Sequence, residues 1–197
     1  YEALVRPGDT VLSMSLTGGG HLTHGSPVNR SGKHYRIFHY KPDRATGKLN
    51  YDEIRKLARE RKPRMIIAGY SAFPWDIDWK AFKEICRVAG PHCILMADIS
   101  HPAGLIAAGL LRSPVGVADV VTFTTHKTLC GPRGAVILTT DRKKAGKIDF
   151  AVFPGEQGGP HINNIAAKAV CFGLALTKEF RGLQAGIIRT TAALAAG

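Results

Sequence analysis

The sequence of 197 residues predicts an α/β fold built on a mostly parallel central sheet. Three observations predict it. Several apolar runs have the length of strands and are nearly continuous, which is how strands covered on both faces read. Segments of helical periodicity lie between those runs, and alternation of strand and helix marks a parallel α/β sheet. The composition fits such a domain: 45% of residues are hydrophobic and 21% charged, ordinary for a globular chain that buries its own core. No apolar run approaches the roughly 20 residues that a bilayer span needs, so no membrane partner is expected.

The elements follow in order. YEALVRPGDTV (1–11) reads as a helix end, a Pro-Gly-Asp turn and the start of a strand, and GGGHLTHG (18–25) as a glycine-rich turn. Residues 30–64 hold twelve Lys and Arg against four acids, within a chain of net charge +12. Such a stretch can attract a polyanion. However, no aromatics interleave with the charges and no nucleic-acid motif is visible, so a solvated helix face with loops is preferred and nucleic acid is not expected as a partner. NYDEIRKLARERKP (50–63) opens with an Asn-x-x-Glu capping pattern and stops at Pro63, as a helix does. RMIIAGYS (64–71) is a strand. WKAFKEICRVAG (79–90) is a helix, with Phe82, Ile85 and Val88 at helical spacing and Gly90 at its end. CILMAD (93–98), ADVVTFTT (118–125) and GAVILTT (134–140) are strands, and the alanine-rich stretch from about Asn163 to Ala196 is helical. Cys86, Cys93, Cys130 and Cys171 match no zinc or redox-pair spacing and read as reduced cytosolic thiols. A zinc site from His21, His24 and Cys130 would lack the spacing of a zinc motif, so no metal site is expected.

The strand ends carry the chemistry. The three central runs end in Ser71, in Asp98, and in Thr124-Thr125-His126-Lys127. In open α/β sheets, ligands bind outside the carboxyl ends of the strands. Taken singly, Asp98 reads as a turn or cap residue and Lys127 as a surface lysine. Together they offer a carboxylate and an amine to one rim. A lysine and an aspartate suit pyridoxal phosphate: the lysine forms a Schiff base, and the carboxylate keeps the pyridine nitrogen protonated. GEQGGP (155–160) and the hydroxyls near Lys127 could serve a phosphate, and His21 or His24 could stack on a ring.

GGGHLTHGSPVNRSGK (18–33), ADISHPAGLIAAG (97–109), TTHKTLCGPRG (124–134) and VFPGEQGGP (152–160) together resemble the serine hydroxymethyltransferase family. The resemblance implies a three-layer αβα fold of the pyridoxal-phosphate-dependent transferase (fold type I) kind. It implies that residues 1–197 are part of that family's large cofactor-binding domain, with 161–197 leading towards a C-terminal domain and an N-terminal arm lying outside. It implies a pyridoxal 5'-phosphate enzyme that interconverts serine plus tetrahydrofolate with glycine plus 5,10-methylenetetrahydrofolate. Such an enzyme would be cytoplasmic, and a homodimer or homotetramer at full length. By the same resemblance Lys127 is the Schiff-base lysine, Asp98 the partner of the pyridinium nitrogen and His21 the stacking ring. His101 would lie near the cofactor's 3′-oxygen, and Ser71 and Thr124 would hydrogen-bond around it. Gly158 and Gly159 would reach a neighbouring subunit's phosphate, and Leu16, Gly20 and Leu22 would contact folate. Ser100, Pro102, Thr17-Gly18 and Cys130 depart from the family's usual residues without removing a needed chemical group. The substrate-carboxylate arginine and the catalytic glutamate match no position in 1–197, so the chain alone is expected to turn over little or nothing. The alternatives are a folate-independent aldolase of the same fold, such as a threonine aldolase, and an RNA-binding module using 30–64.

Overall fold

A computed structural model describes residues 1–197. Six strands form one sheet: β1 (Thr10–Met14), β2 (Arg36–Tyr40), β3 (Met65–Gly69), β4 (Ile94–Asp98), β5 (Val120–Thr124) and β6 (Ala135–Leu138), in the order β2-β1-β3-β4-β5-β6. β1 pairs in parallel with β2 and β3, β3 with β4, and β4 with β5. The helices are α1 (Arg30–His34), α2 (Tyr51–Arg61), α3 (Trp79–Ala89), α4 (Ala103–Ala107), α5 (Arg142–Phe150), α6 (Ile162–Ala175) and α7 (Lys178–Ala196). This is the mostly parallel α/β arrangement that the apolar runs predict.

The chain divides into two compact units: Tyr1–Asp98 with Pro114–Thr122 and Ile137–Gly158, and Ile99–Ser113 with Phe123–Val136 and Gly159–Gly197.

In the first unit the central strands β1, β3 and β4 are buried on both faces, whereas Arg36 and His39 of β2 and Ile137 and Leu138 of β6 are exposed, so the GAVILTT run is not covered as its apolar sequence predicts. Val11, Met65, Ile67, Ile94, Met96 and Val120 pack in one cluster with Val5, Tyr35 and Ile148 of α5. The alternate residues Leu12, Met14, Ile66, Ala68, Leu95 and Ala97 are buried too. Period-two alternation sends them to the opposite face, where α3 lies on β3 and β4 and α2 lies on α3. The helices start where the sequence says. Asn50 accepts from the backbone N–H of Asp52 and Glu53, and Asp78 from that of Ala81, supplying partners for orphan donors of a first turn. α2 ends on Lys62 in the left-handed region, just before Pro63.

Three further details differ from the sequence reading. β2 lies inside the basic stretch, where only a helix face and loops are expected. It is an edge strand pairing with β1 alone, so it needs no continuous apolar run. In α3 the buried stripe is Trp79, Phe82, Ile85, Cys86 and Ala89, while Val88 sits on its flank and is 38% exposed. β3 stops at Gly69, because the Ser71 N–H turns away to the Gly19 carbonyl at 2.8 Å.

The second unit holds α4, the loop after β5, and the helical tail. The tail is two helices: α6 ends at Ala175, and Thr177 caps α7 by accepting from the Phe180 N–H at 3.2 Å. α7 packs on both α4 and α6. No helix of the chain is long and apolar enough to cross a membrane.

Candidate active site

Asp98 is the last residue of β4, in register with Gly69 of β3 and Thr122 of β5. Its Oδ2 lies 2.8 Å from His24 Nε2, and His24 is buried. The tautomer of His24 follows from its other nitrogen. Nδ1 accepts from the His21 N–H at 3.2 Å, so the ring proton sits on Nε2 and is donated to the carboxylate. His24 thereby fixes the orientation of Asp98. Its own carbonyl accepts from Ser13 Oγ at 2.5 Å, and Ser13 Oγ also lies 3.2 Å from His39 Nδ1. Partial burial, above all, lowers the pKa of His39, which favours a neutral ring beside Ser13.

The glycine-rich segment folds as two short 3₁₀ turns, Leu16–Gly18 and Leu22–His24. In the second turn His21 Nδ1 accepts from the Thr23 N–H while His24 Nδ1 accepts from the His21 N–H. The two histidines thus hold one turn reciprocally, with ring centroids 5.9 Å apart. The Tyr1 hydroxyl donates to the Thr23 carbonyl at 2.6 Å, and burial, the main cause, raises its pKa, which keeps the phenol a donor. His21 is exposed. Gly20 is buried with its N–H on the Ser15 carbonyl, while Leu16 and Leu22 on either side expose half or nearly half of their surface, 50% and 45%. The Ser71 and Ala72 N–H groups both donate to Gly19. The first unit therefore brings together Asp98, His24, the 16–24 turn and Ser71.

The closeness of β3 and β4 at Asp98 depends on Gly69. A Cβ built there would sit 2.1 Å from the Asp98 carbonyl oxygen, far inside contact distance. We expect Gly69→Ala to cost about 1–3 kcal/mol of stability, the range of overpacked cores, read from the urea midpoint.

In the second unit Lys127 follows β5. Its ammonium donates to Thr124 Oγ1 at 3.1 Å, and the Thr124 hydroxyl in turn donates to the Ser100 carbonyl at 3.3 Å. A neutral hydroxyl therefore positions the amine. Thr128 Oγ1 donates to the His101 carbonyl at 2.5 Å and accepts from the Gly104 N–H at 2.9 Å. This unit therefore ties the Lys127 loop to the 99–104 segment that holds Ser100 and His101.

Gly158 and Gly159 are exposed, and a Cβ added at either would meet nothing within 4 Å, so packing in this chain does not demand glycine there. Part of the basic stretch is spent internally: Arg30 pairs with Glu156 at 2.8 Å and Glu2 at 3.3 Å, Arg55 pairs with Asp52, and Arg61 lies over the Phe38 ring at 4.3 Å.

Sequence reasoning names His24 as a possible stacking ring and within an unsupported zinc set, never as a partner of Asp98. The His-x-x-His spacing marks the turn that joins the two rings, but nothing near His24 in the sequence marks its pairing with Asp98. Thr128 gave no signal, because a threonine after a lysine is unremarkable until the loop is folded.

The family model for serine hydroxymethyltransferase matches residues 1–197. A curated serine hydroxymethyltransferase of Synechococcus sp. (strain JA-3-3Ab) is 54% identical over 196 residues, covering 100% of this chain and 45% of the relative. One from Cyanothece sp. (strain PCC 7425 / ATCC 29141) is 53% identical over 194 residues, covering 98% of this chain and again 45% of the relative. The chain thus spans a little under half the length of the curated relatives it matches. With the family model running from its first residue to its last, and the motifs around His24, Asp98 and Lys127 folded into strand-end sites, the chain belongs to the serine hydroxymethyltransferase family.

Proposed function

We propose that the chain is the central part of the large pyridoxal-phosphate-binding domain of a glycine hydroxymethyltransferase. The reaction would interconvert serine plus tetrahydrofolate with glycine plus 5,10-methylenetetrahydrofolate. The reading carries with it a full-length homodimer or homotetramer and a cytoplasmic location.

The observation that supports it most is how Asp98 and Lys127 are held. Asp98 ends β4 opposite Thr122 and accepts from a neutral imidazole N–H; Lys127 comes five residues after Thr122 and is held by a hydroxyl. The donor set fits pyridoxal phosphate: a carboxylate with a fixed orientation for a protonated ring nitrogen, and an amine whose neutral partner it can leave at little cost. When bound, that cofactor supplies an electron sink for bonds at an amino acid's α-carbon.

The chain's residues would act as follows. Asp98 keeps a proton on the ring nitrogen, and His24 keeps Asp98 pointed at it. Lys127 would hold the cofactor through its amine, His21 would lie against its ring, and Ser71, Thr124 and His101 would supply hydrogen bonds to it. Gly158 and Gly159 serve a neighbouring subunit's phosphate. Leu16 and Leu22, apolar yet half exposed, offer an apolar lip for folate beside Gly20.

Serine cleavage is to be assayed with and without tetrahydrofolate, in a full-length polypeptide carrying this segment. Strong stimulation by folate is expected. Equal rates in its absence would favour a folate-independent aldolase.

A further inference from the structure

The helical tail grips the loop that carries Lys127, entirely within the second unit. Asn164 Nδ2 donates to the Arg133 carbonyl at 3.4 Å, Lys168 Nζ to Ala135 at 3.0 Å and Cys171 Sγ to Leu129 at 3.4 Å. Spacings of four and three put these three on one face of α6. From α7, Gln184 Nε2 donates to the Thr128 carbonyl at 2.6 Å, the shortest of the four. A carbonyl only accepts, so the NH₂ end of the amide must face it.

Gln184 stands apart from the others. It is 0% exposed, and its Oε1 is buried without a hydrogen-bond partner. A half-satisfied buried amide is destabilising compared with an apolar side chain of the same shape, so filling space does not account for glutamine here. What the amide adds is its donor on Thr128. The surroundings are shaped for it: a Cβ at Gly104 would lie 2.2 Å from the Thr128 carbonyl oxygen and 2.9 Å from Gln184 Oε1. Thr128 is thus fixed through its carbonyl by Gln184 and through its hydroxyl by His101 and Gly104.

We infer that Gln184 is a positioning residue for Lys127, acting through Thr128: it fixes the Thr128–Leu129 peptide, one residue beyond the lysine, and so holds the backbone from which the amine projects. The inference deepens the proposed function and rests on Lys127 being the residue that carries pyridoxal phosphate.

The test uses two variants of the chain. Gln184→Met keeps length and volume but removes the donor. Gln184→Leu likewise removes the donor with a smaller apolar side chain, and serves if the first variant folds poorly. Amide hydrogen exchange is followed at Cys130 and Gly131, whose N–H groups close the loop on Lys127 and Thr125. Binding of pyridoxal phosphate is followed by its visible absorbance. We expect exchange at these two amides to rise about tenfold, the size of one lost hydrogen bond, and cofactor affinity to fall by a similar factor, while exchange in α6 and α7 is unchanged. Equal acceleration throughout the second unit would reduce Gln184 to a structural residue, and unchanged exchange and affinity would overturn the inference outright. If the unsubstituted chain attaches the cofactor away from Lys127, the proposed function fails instead, and the exchange result still reports on the loop alone.

Discussion

Replacing Lys127 by alanine should leave a folded chain that no longer holds pyridoxal phosphate covalently. The ammonium makes one hydrogen bond, to Thr124, so its loss is expected to cost about 1 kcal/mol of stability at most. The effect on the cofactor should be far larger. Covalent attachment makes capture of the aldehyde intramolecular, and misplacement alone in such a setting costs on the order of 100-fold. Apparent affinity for pyridoxal phosphate should fall by at least that factor, with the thermal midpoint almost unmoved. Absorbance titration and a thermal melt on the same sample measure both.

The second large effect is expected at Asp98. In Asp98→Asn the amide oxygen can still accept from His24 Nε2, so the local structure at the end of β4 should survive. What disappears is the negative charge that, in the proposed function, would face the ring nitrogen. Removing one preorganised electrostatic partner of a reacting system costs about 10²–10³ in turnover. In a full-length polypeptide carrying this segment, serine turnover should fall by that amount while pyridoxal phosphate remains bound. Turnover within a few-fold of the unsubstituted protein would mean that Asp98 serves the fold rather than the chemistry.

Much of the fold was legible because its signals are local. Near-continuous runs such as Met65–Gly69 and Ile94–Asp98 announce strands buried on both faces, and Asn50 and Pro63 announce the two ends of α2. The edge strand β2 was not legible, because a half-solvated strand tolerates the charge that hides it. Nor was the break at Leu176–Thr177 between α6 and α7, since the alanine-rich composition there is helical throughout.

The site divides in the same way. Asp98 and Lys127 stand out as polar residues at the ends of apolar strands, but their partners do not. His24 comes to Asp98 across 74 positions of sequence, and Gln184 comes to Thr128 across 56. Such pairings depend on the tertiary fold and leave no mark on either residue's neighbours in the chain. His21 and His24 look equivalent in the sequence. Only the 3₁₀ turn separates them, burying one against the carboxylate and leaving the other exposed.

Whether Lys127 is the cofactor's attachment point can be read by incubating the chain with pyridoxal phosphate, reducing with borohydride and mapping the peptides. A pyridoxyl group is expected on the Lys127 peptide, and it should be lost in Lys127→Ala. A label spread over several surface lysines, unchanged by that substitution, would show that the cofactor is not anchored there.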